Sequence, residues 1–239
     1  LILYLAKGFR HIWSNKRYAF YNRYVSVNWL LEALLMSSLV SSLRLLGGRL
    51  CLDFVNTTPS SSELSWEQLI ALLEATRIVS TERGAQLLAL PQSDPQSAEA
   101  LLLKARRLST SLRKALVAMH RRQRIAGEWV EPVNEILRIT EGHDELVLEE
   151  GAWRIEFIAR EGGLDWLLAA IARSAAELVA EGSRAPIRIC ANPQCGLFFY
   201  DKSRTHRRRW CSMSVCGNRS KVASFVRRHA ALHREARPS

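Results

Sequence analysis

The stretch CANPQCGLFFYDKSRTHRRRWCSMSVCGNRSKV, residues 190–222, decides how the rest of this 239-residue chain is read. Cys190 and Cys195 enclose four residues, Cys211 and Cys216 enclose four more, and 15 residues separate the two pairs. Each second cysteine is followed by a glycine, Gly196 and Gly217. Two short turns of this kind each present two thiolates to one side of an ion, and the intervening segment brings the chain back to close the set. Four thiolates leave no position for water, so the pattern predicts one structural Zn²⁺ rather than a catalytic one. Four buried free thiols are the alternative. Between the pairs Leu197, Phe198, Phe199 and Tyr200 read as an apolar strand, and these aromatics with Trp210 read as the small core over the metal.

The net charge of the chain is gathered around that stretch. The 56 residues from Arg184 to Ser239 hold 13 of the 34 Lys and Arg but only Asp201 and Glu235 of the 23 acids, so 21 of each sign precede them and the whole +11 belongs to this end. A charge imbalance confined to one end suits a polyanion, because neutralising phosphates releases their counterions. Arg204, Arg207, Arg208 and Arg209 form one basic cluster before the third cysteine. Asn218, Arg219 and Lys221 follow the fourth, ahead of a helix with Val222, Phe225 and Val226 on one face and Arg227 and Arg228 beyond. Arg219 and Lys221 are expected on the first turn of that helix, where free amides favour phosphate. The partner this predicts is DNA, with Arg207–Arg209 and Lys221 on phosphates and Arg219 near a base edge. RNA is the alternative, with Phe199 or Trp210 stacking bases.

The rest of the chain reads as mostly helical. Ser65 with Gln68 forms a capping box before Leu69. Asp94-Pro95 opens a longer helix, apolar at Ala98, Leu101, Leu102, Ala105, Leu108, Leu112, Leu116 and Met119, that runs out in Arg121, Arg122 and Arg124. Pro132 to Ile139 is a shorter helix, Glu145–Glu149 with Trp153–Ile158 a β-hairpin, and Leu164–Val179 a helix ended by Gly182. Leu50–Val55, between Gly47-Gly48 and Asn56-Thr57-Thr58-Pro59, reads as a short buried strand or extended segment. Asp53 and Asn56 beside it read as a polar pair that satisfies backbone groups, with a ligand-binding role as the alternative. The aromatic and basic residues 1–35 are expected to be an extension that adds nothing to function, Met36 being a natural start. Val25–Leu46 is too interrupted by polar residues for a membrane span and reads as an amphipathic helix. The expected organisation is an N-terminal extension over 1–44, a mostly α domain over 45–182 and a zinc-binding domain over 186–235. The fold class is mainly α with a small β-hairpin element, followed by a four-cysteine zinc-ribbon or treble-clef-like module ending in a helix.

No secretory signal pattern opens the chain, which favours metal over disulfides and a cytoplasmic setting. The fifth cysteine, Cys51, stands alone in an apolar run. No paired-carboxylate, Ser-His-Asp or Gly-rich phosphate pattern occurs, and His120 and His143 are isolated, so no enzyme is expected.

Arg208 to Met213 and Cys216-Gly217-Asn218-Arg219, with Lys221-Val222 after them, resemble the CGNR zinc-finger family. Leu46-Gly47-Gly48-Arg49-Leu50 and Leu52-Asp53-Phe54-Val55-Asn56-Thr57 look like the opening of the ABATE domain that precedes this finger in bacterial proteins. The two similarities cover roughly residues 45 to 230. They imply a stress-induced transcription regulator whose finger binds DNA and whose zinc ligands are Cys190, Cys195, Cys211 and Cys216. The helical domain would then sense an unidentified small-molecule effector or join two copies, since symmetric half-sites require a homodimer. A small-molecule-binding or enzymatic domain with a merely structural zinc module is the competing reading.

Overall fold

The computed structural model describes residues 43–58, 63–139, 142–149, 152–159 and 163–235. Residues 1–42, with the extension and most of the helix expected from Val25, lie outside them. Ser65 closes the expected capping box on α2 (Trp66–Ala75), accepting from the Gln68 amide while the Gln68 side chain accepts from its own. After α3 (Thr81–Leu88) and the single turn α4 (Leu90–Ser93), Asp94 accepts from Ser97 N–H to cap α5 (Pro95–His120). The α5 apolar stripe is buried from Ala98 to Met119 as its period requires. α6 (Glu131–Ile139) is followed by β1 (Gly142–Glu149) and β2 (Ala152–Ala159), an antiparallel hairpin with Leu148 opposite Trp153. A 3₁₀ turn, Asp165–Leu168, leads into α7 (Ala169–Glu181), which ends at Gly182 in the left-handed region.

Leu50–Val55 is not a strand. It forms α1 (Leu50–Asn56), with Cys51, Leu52, Phe54 and Val55 buried. Spacings of one, three and four residues describe one face of a helix, and six apolar-rich residues between glycines and a turn carry too little periodicity to separate the two states. The difference has a consequence. Asp53 and Asn56, three residues apart, stand on a common side of α1, where Asp53 accepts from Gly47 N–H and Asn56 meets Phe198.

That end contains β3 (Ile187–Ile189) and β4 (Phe198–Tyr200), paired antiparallel with Arg188 opposite Phe199. Alternation sends Ile187 and Phe198 into the helical core, where Leu52, Phe54 and Leu108 also lie, while Phe199 turns to the cysteines. Expecting both phenylalanines over the metal is therefore half right: Phe198 belongs to the other core. The outer edge of β4 is claimed by the α1 region. Asn56 Nδ2 donates to Phe198 O at 2.8 Å, Phe198 N–H donates to Asn56 Oδ1 at 2.9 Å, and Tyr200 N–H donates to Gly47 O at 2.8 Å. One amide side chain thus stands in for a strand. Gly47 is required where it sits, since a Cβ there would lie 2.7 Å from Leu52 Cβ. Arg49 pairs with Glu181 and lies over the Tyr200 ring, whose hydroxyl donates to Glu181 at 2.8 Å.

Two outcomes follow from these contacts. Asn56→Ala strands the Phe198 amide and carbonyl, so a loss of about 2–4 kcal/mol is expected in denaturant unfolding; a change under about 0.5 kcal/mol would contradict the clamp. Burial pushes the Asp53 carboxyl up to about 6, against the lowering effect of the Gly47 N–H bond. The folded state therefore holds this proton more tightly than the unfolded chain, and stability present below about pH 4 is lost as pH rises through 6. Asp53→Asn keeps the acceptor for Gly47 and removes the charge. It is expected to stabilise at pH 7.5 by on the order of 1 kcal/mol, after discounting for partial exposure, and not at pH 4, as melting at the two pH values would record.

Candidate metal centre and nucleic-acid interface

Each cysteine is set by backbone. Cys190 leaves β3 with its N–H on Leu197 O at 2.9 Å, and the Asn192 carbonyl and side chain bind Cys195 N–H and Gln194 N–H to close the first turn. Ala191 N–H reaches Arg209 O at 2.8 Å, which brings the segment before Cys211 alongside. Cys216 and Gly217 both donate to Ser212 O at 3.0 Å within a wide π-helical turn, Met213–Gly217, whose first residue follows the capping Ser212. The four sulfurs lie within 4.8 Å of one another, and Cys211 Sγ is 3.7 Å from both Cys195 Sγ and Cys216 Sγ. Zn–S bonds of about 2.3 Å give a tetrahedron with S···S edges of about 3.8 Å. The set fits one structural zinc ion. Asn192 Nδ2 stands 3.7 Å from Cys216 Sγ, a donor to a thiolate from outside the ligand set. Burial, reinforced by the neighbouring thiols, pushes the Cys211 thiol well above its ordinary range, whereas at Cys216 burial is outweighed by hydrogen bonds with Asn192 and the neighbouring cysteines, which hold that thiol low; a bound cation would ionise the whole set.

Phe199, fully buried, roofs the cluster together with Leu46, Leu197, Trp210 and Val215. The loop that carries the first basic cluster is moulded on Asp201, also fully buried, which accepts from Ser203 N–H, Ser203 Oγ and Arg208 N–H at 3.0, 2.6 and 2.9 Å. Burial acts to raise this carboxyl, but the three donors outweigh it and hold it below its usual value. Sequence reading overlooked Asp201, although Asp-x-Ser is a turn signal that points to it. Nor was the link from Asn56 to β4 legible, because nothing local connects residues 142 positions apart.

Arg204, Arg207, Arg208 and Arg209 are exposed on this loop. Arg208 is the most committed, donating to Cys211 O at 2.7 Å with its guanidinium 5.1 Å from the Phe199 ring centroid, and Arg209 lies over Trp210 at 5.1 Å. Asn218, Arg219 and Lys221 are exposed on α8 (Asn218–Glu235), which also contains Arg227 and Arg228. The α-helix starts at Asn218 with Arg219 and Lys221 on its first turn, as expected, but it is continuous with the π-helical turn from Met213. The unpaired first-turn amides therefore belong near Met213 and Ser214, not beside Arg219 and Lys221, because the two i→i+5 and i→i+4 bonds to Ser212 already commit Cys216 and Gly217. Asp53 and Asn56 lie away from the cysteines, on Gly47 and Phe198.

A helical domain that shares a hairpin with a closed four-thiolate zinc module is the class of protein these features define. The family described as "Putative stress-induced transcription regulator", ABATE, matches residues 48–182, more than half of the chain, and the CGNR zinc finger matches residues 187–229. The chain belongs to the ABATE family and carries a CGNR zinc finger at its end. No curated protein matches it. The tetrapeptide that names the finger divides its work: Cys216 joins the metal set, Gly217 is buried where a Cβ would meet Met213 Sδ at 2.6 Å and Trp210 at 3.4 Å, and Asn218 and Arg219 face solvent.

One zinc per chain is expected on elemental analysis, with Cys211→Ser sharply weakening retention against a chelator. Because up to about four protons leave the thiols on binding, affinity should fall steeply as pH is lowered from 8 to 6; affinity independent of pH would contradict thiolate ligation.

Proposed function

We propose that the chain is a DNA-binding transcription regulator, in which the zinc module engages duplex DNA and the helical domain senses a small molecule or joins two copies. The observation that carries this reading is the distribution of ion pairs. Arg49–Glu181, Lys104–Asp165, Arg106–Glu63, Arg107–Glu135 and Arg138–Glu131 all lie before Gly182, and among the described residues none involves the zinc module. Arg204, Arg207, Arg219 and Lys221 thus have no ion-pair partner among the described residues, and they lie on a loop and a helix both anchored to one metal cluster, which makes them a fixed surface for phosphates. The complete burial of Phe199 removes one of the two rings that base stacking would use and favours duplex over single-stranded RNA. Regulator and finger families favour a binding role over catalysis, and the cytoplasm is where such a regulator meets DNA. Among the described residues no helix is long and apolar enough to cross a membrane.

Selection of bound duplexes from a random pool by zinc-loaded protein tests this directly. A motif that disappears with Cys211→Ser is expected, with Arg219→Ala relaxing sequence preference and Arg207→Ala weakening all duplexes alike. A pool without enrichment would overturn sequence-specific regulation.

A further inference from the structure

The helical domain, residues 45–182, holds 15 Lys and Arg against 20 Asp and Glu, yet it carries one concentrated run of positive charge, Arg121, Arg122 and Arg124, at the end of α5. All three side chains are exposed, and among the described residues none forms an ion pair. The run is firmly held. Gln123 N–H donates to Ala118 O at 2.8 Å and Arg122 N–H to Met119 O at 3.0 Å, the reversed-turn stop of a helix, and Ile125 packs against the main core immediately after. Arg122 occupies the left-handed position of that stop with φ 56°, where glycine is the favoured residue. Arg77 takes the same left-handed place in the stop of α2, so this geometry fixes the backbone of the run without by itself marking it for function.

Hydrogen bonds connect the run to the finger. His120, the residue before it, has Nδ1 3.2 Å from Ile187 O on the outer edge of β3. The next residue of β3, Arg188, donates to the carbonyl of His206, the residue before Arg207-Arg208-Arg209. Two hydrogen bonds and one peptide unit thus join the beginning of one arginine run to the beginning of the other. Resting on the reading of the zinc module as a DNA binder, we propose that Arg121, Arg122 and Arg124 extend its interface onto the helical domain and contact phosphates of the same duplex. Phosphates follow one another at about 3.4 Å of axial rise per strand, so a duplex lying along the finger's basic loop offers several to a neighbouring run. These contacts carry register and affinity, not sequence.

The test uses the full zinc-loaded chain and a labelled random-sequence duplex of about 30 base pairs, titrated over a range of salt concentrations. Three variants are compared: Arg121→Gln/Arg122→Gln/Arg124→Gln, Arg204→Gln/Arg207→Gln on the finger, and Arg122→Gly alone. The first is expected to weaken binding roughly tenfold or more and to reduce the slope of log K against log salt by about two to three. Arg122→Gly separates charge from structure, because it relieves the left-handed residue and should leave melting unchanged or raise it by a few degrees while still reducing the slope by about one. Wild-type affinity and slope in the helical-domain variants, beside a loss in the finger variant, would overturn this inference and leave the finger as the whole interface. Absence of duplex binding by the wild-type chain, or a preference for single-stranded RNA of the same length, would overturn the reading on which it rests.

Discussion

Three residues of β4 carry the arrangement of the whole molecule. A strand must present successive side chains to opposite faces, and Phe198 and Phe199 are both almost completely buried, so each face of this hairpin needs its own core. One is the helical domain and the other is the cluster of cysteines. Burying a phenylalanine contributes about 1.5–3 kcal/mol, and neither ring can be exposed without forfeiting that amount. The zinc module is consequently not a bead on a tether. Its hairpin is wedged between the metal on one side and helices α1, α5 and α7 on the other, with Asn56, Gly47 and the Arg49–Glu181–Tyr200 group holding its free edge.

This constraint gives the polar residues near α1 a reading that needs no ligand. Asn56 supplies a donor and an acceptor in the spacing of a peptide unit, and Asp53 fixes the turn whose carbonyl receives Tyr200. It also explains how a module of fewer than 50 residues, too small to build a sizeable core, orients exposed arginines: the metal fixes the loop and the first turns of α8, and the hairpin fixes the metal site against a larger body.

Much of this was legible beforehand where the physics is local. The capping box at Ser65, the Asp94-Pro95 start of α5, the stop at Gly182 and the four-thiolate set all follow from short-range patterns that dictate their own geometry. The failures have a common cause. Leu50–Asn56 is too short for its period to declare itself, and tertiary packing made it a helix. Free amides were expected beside Arg219 and Lys221 because no local pattern announces the π-helical turn ahead of Asn218, inside which Gly217 packs closely against Met213 and Trp210. The sorting of Phe198 from Phe199, and the approach of Asn56, depend on contacts more than a hundred residues apart that no window of sequence contains.

The central claim is that the metal site and the helical domain share one structural element, and amide hydrogen exchange across α1 tests it most directly. Zinc-loaded and chelator-treated full chains would be compared under identical conditions. If the account is right, removing zinc lowers protection not only in the finger but also in Leu52–Asn56, through the loss of β4 against Asn56. Protection of α1 that is unchanged while the finger exchanges freely would contradict it and return the zinc module to the status of an independent domain.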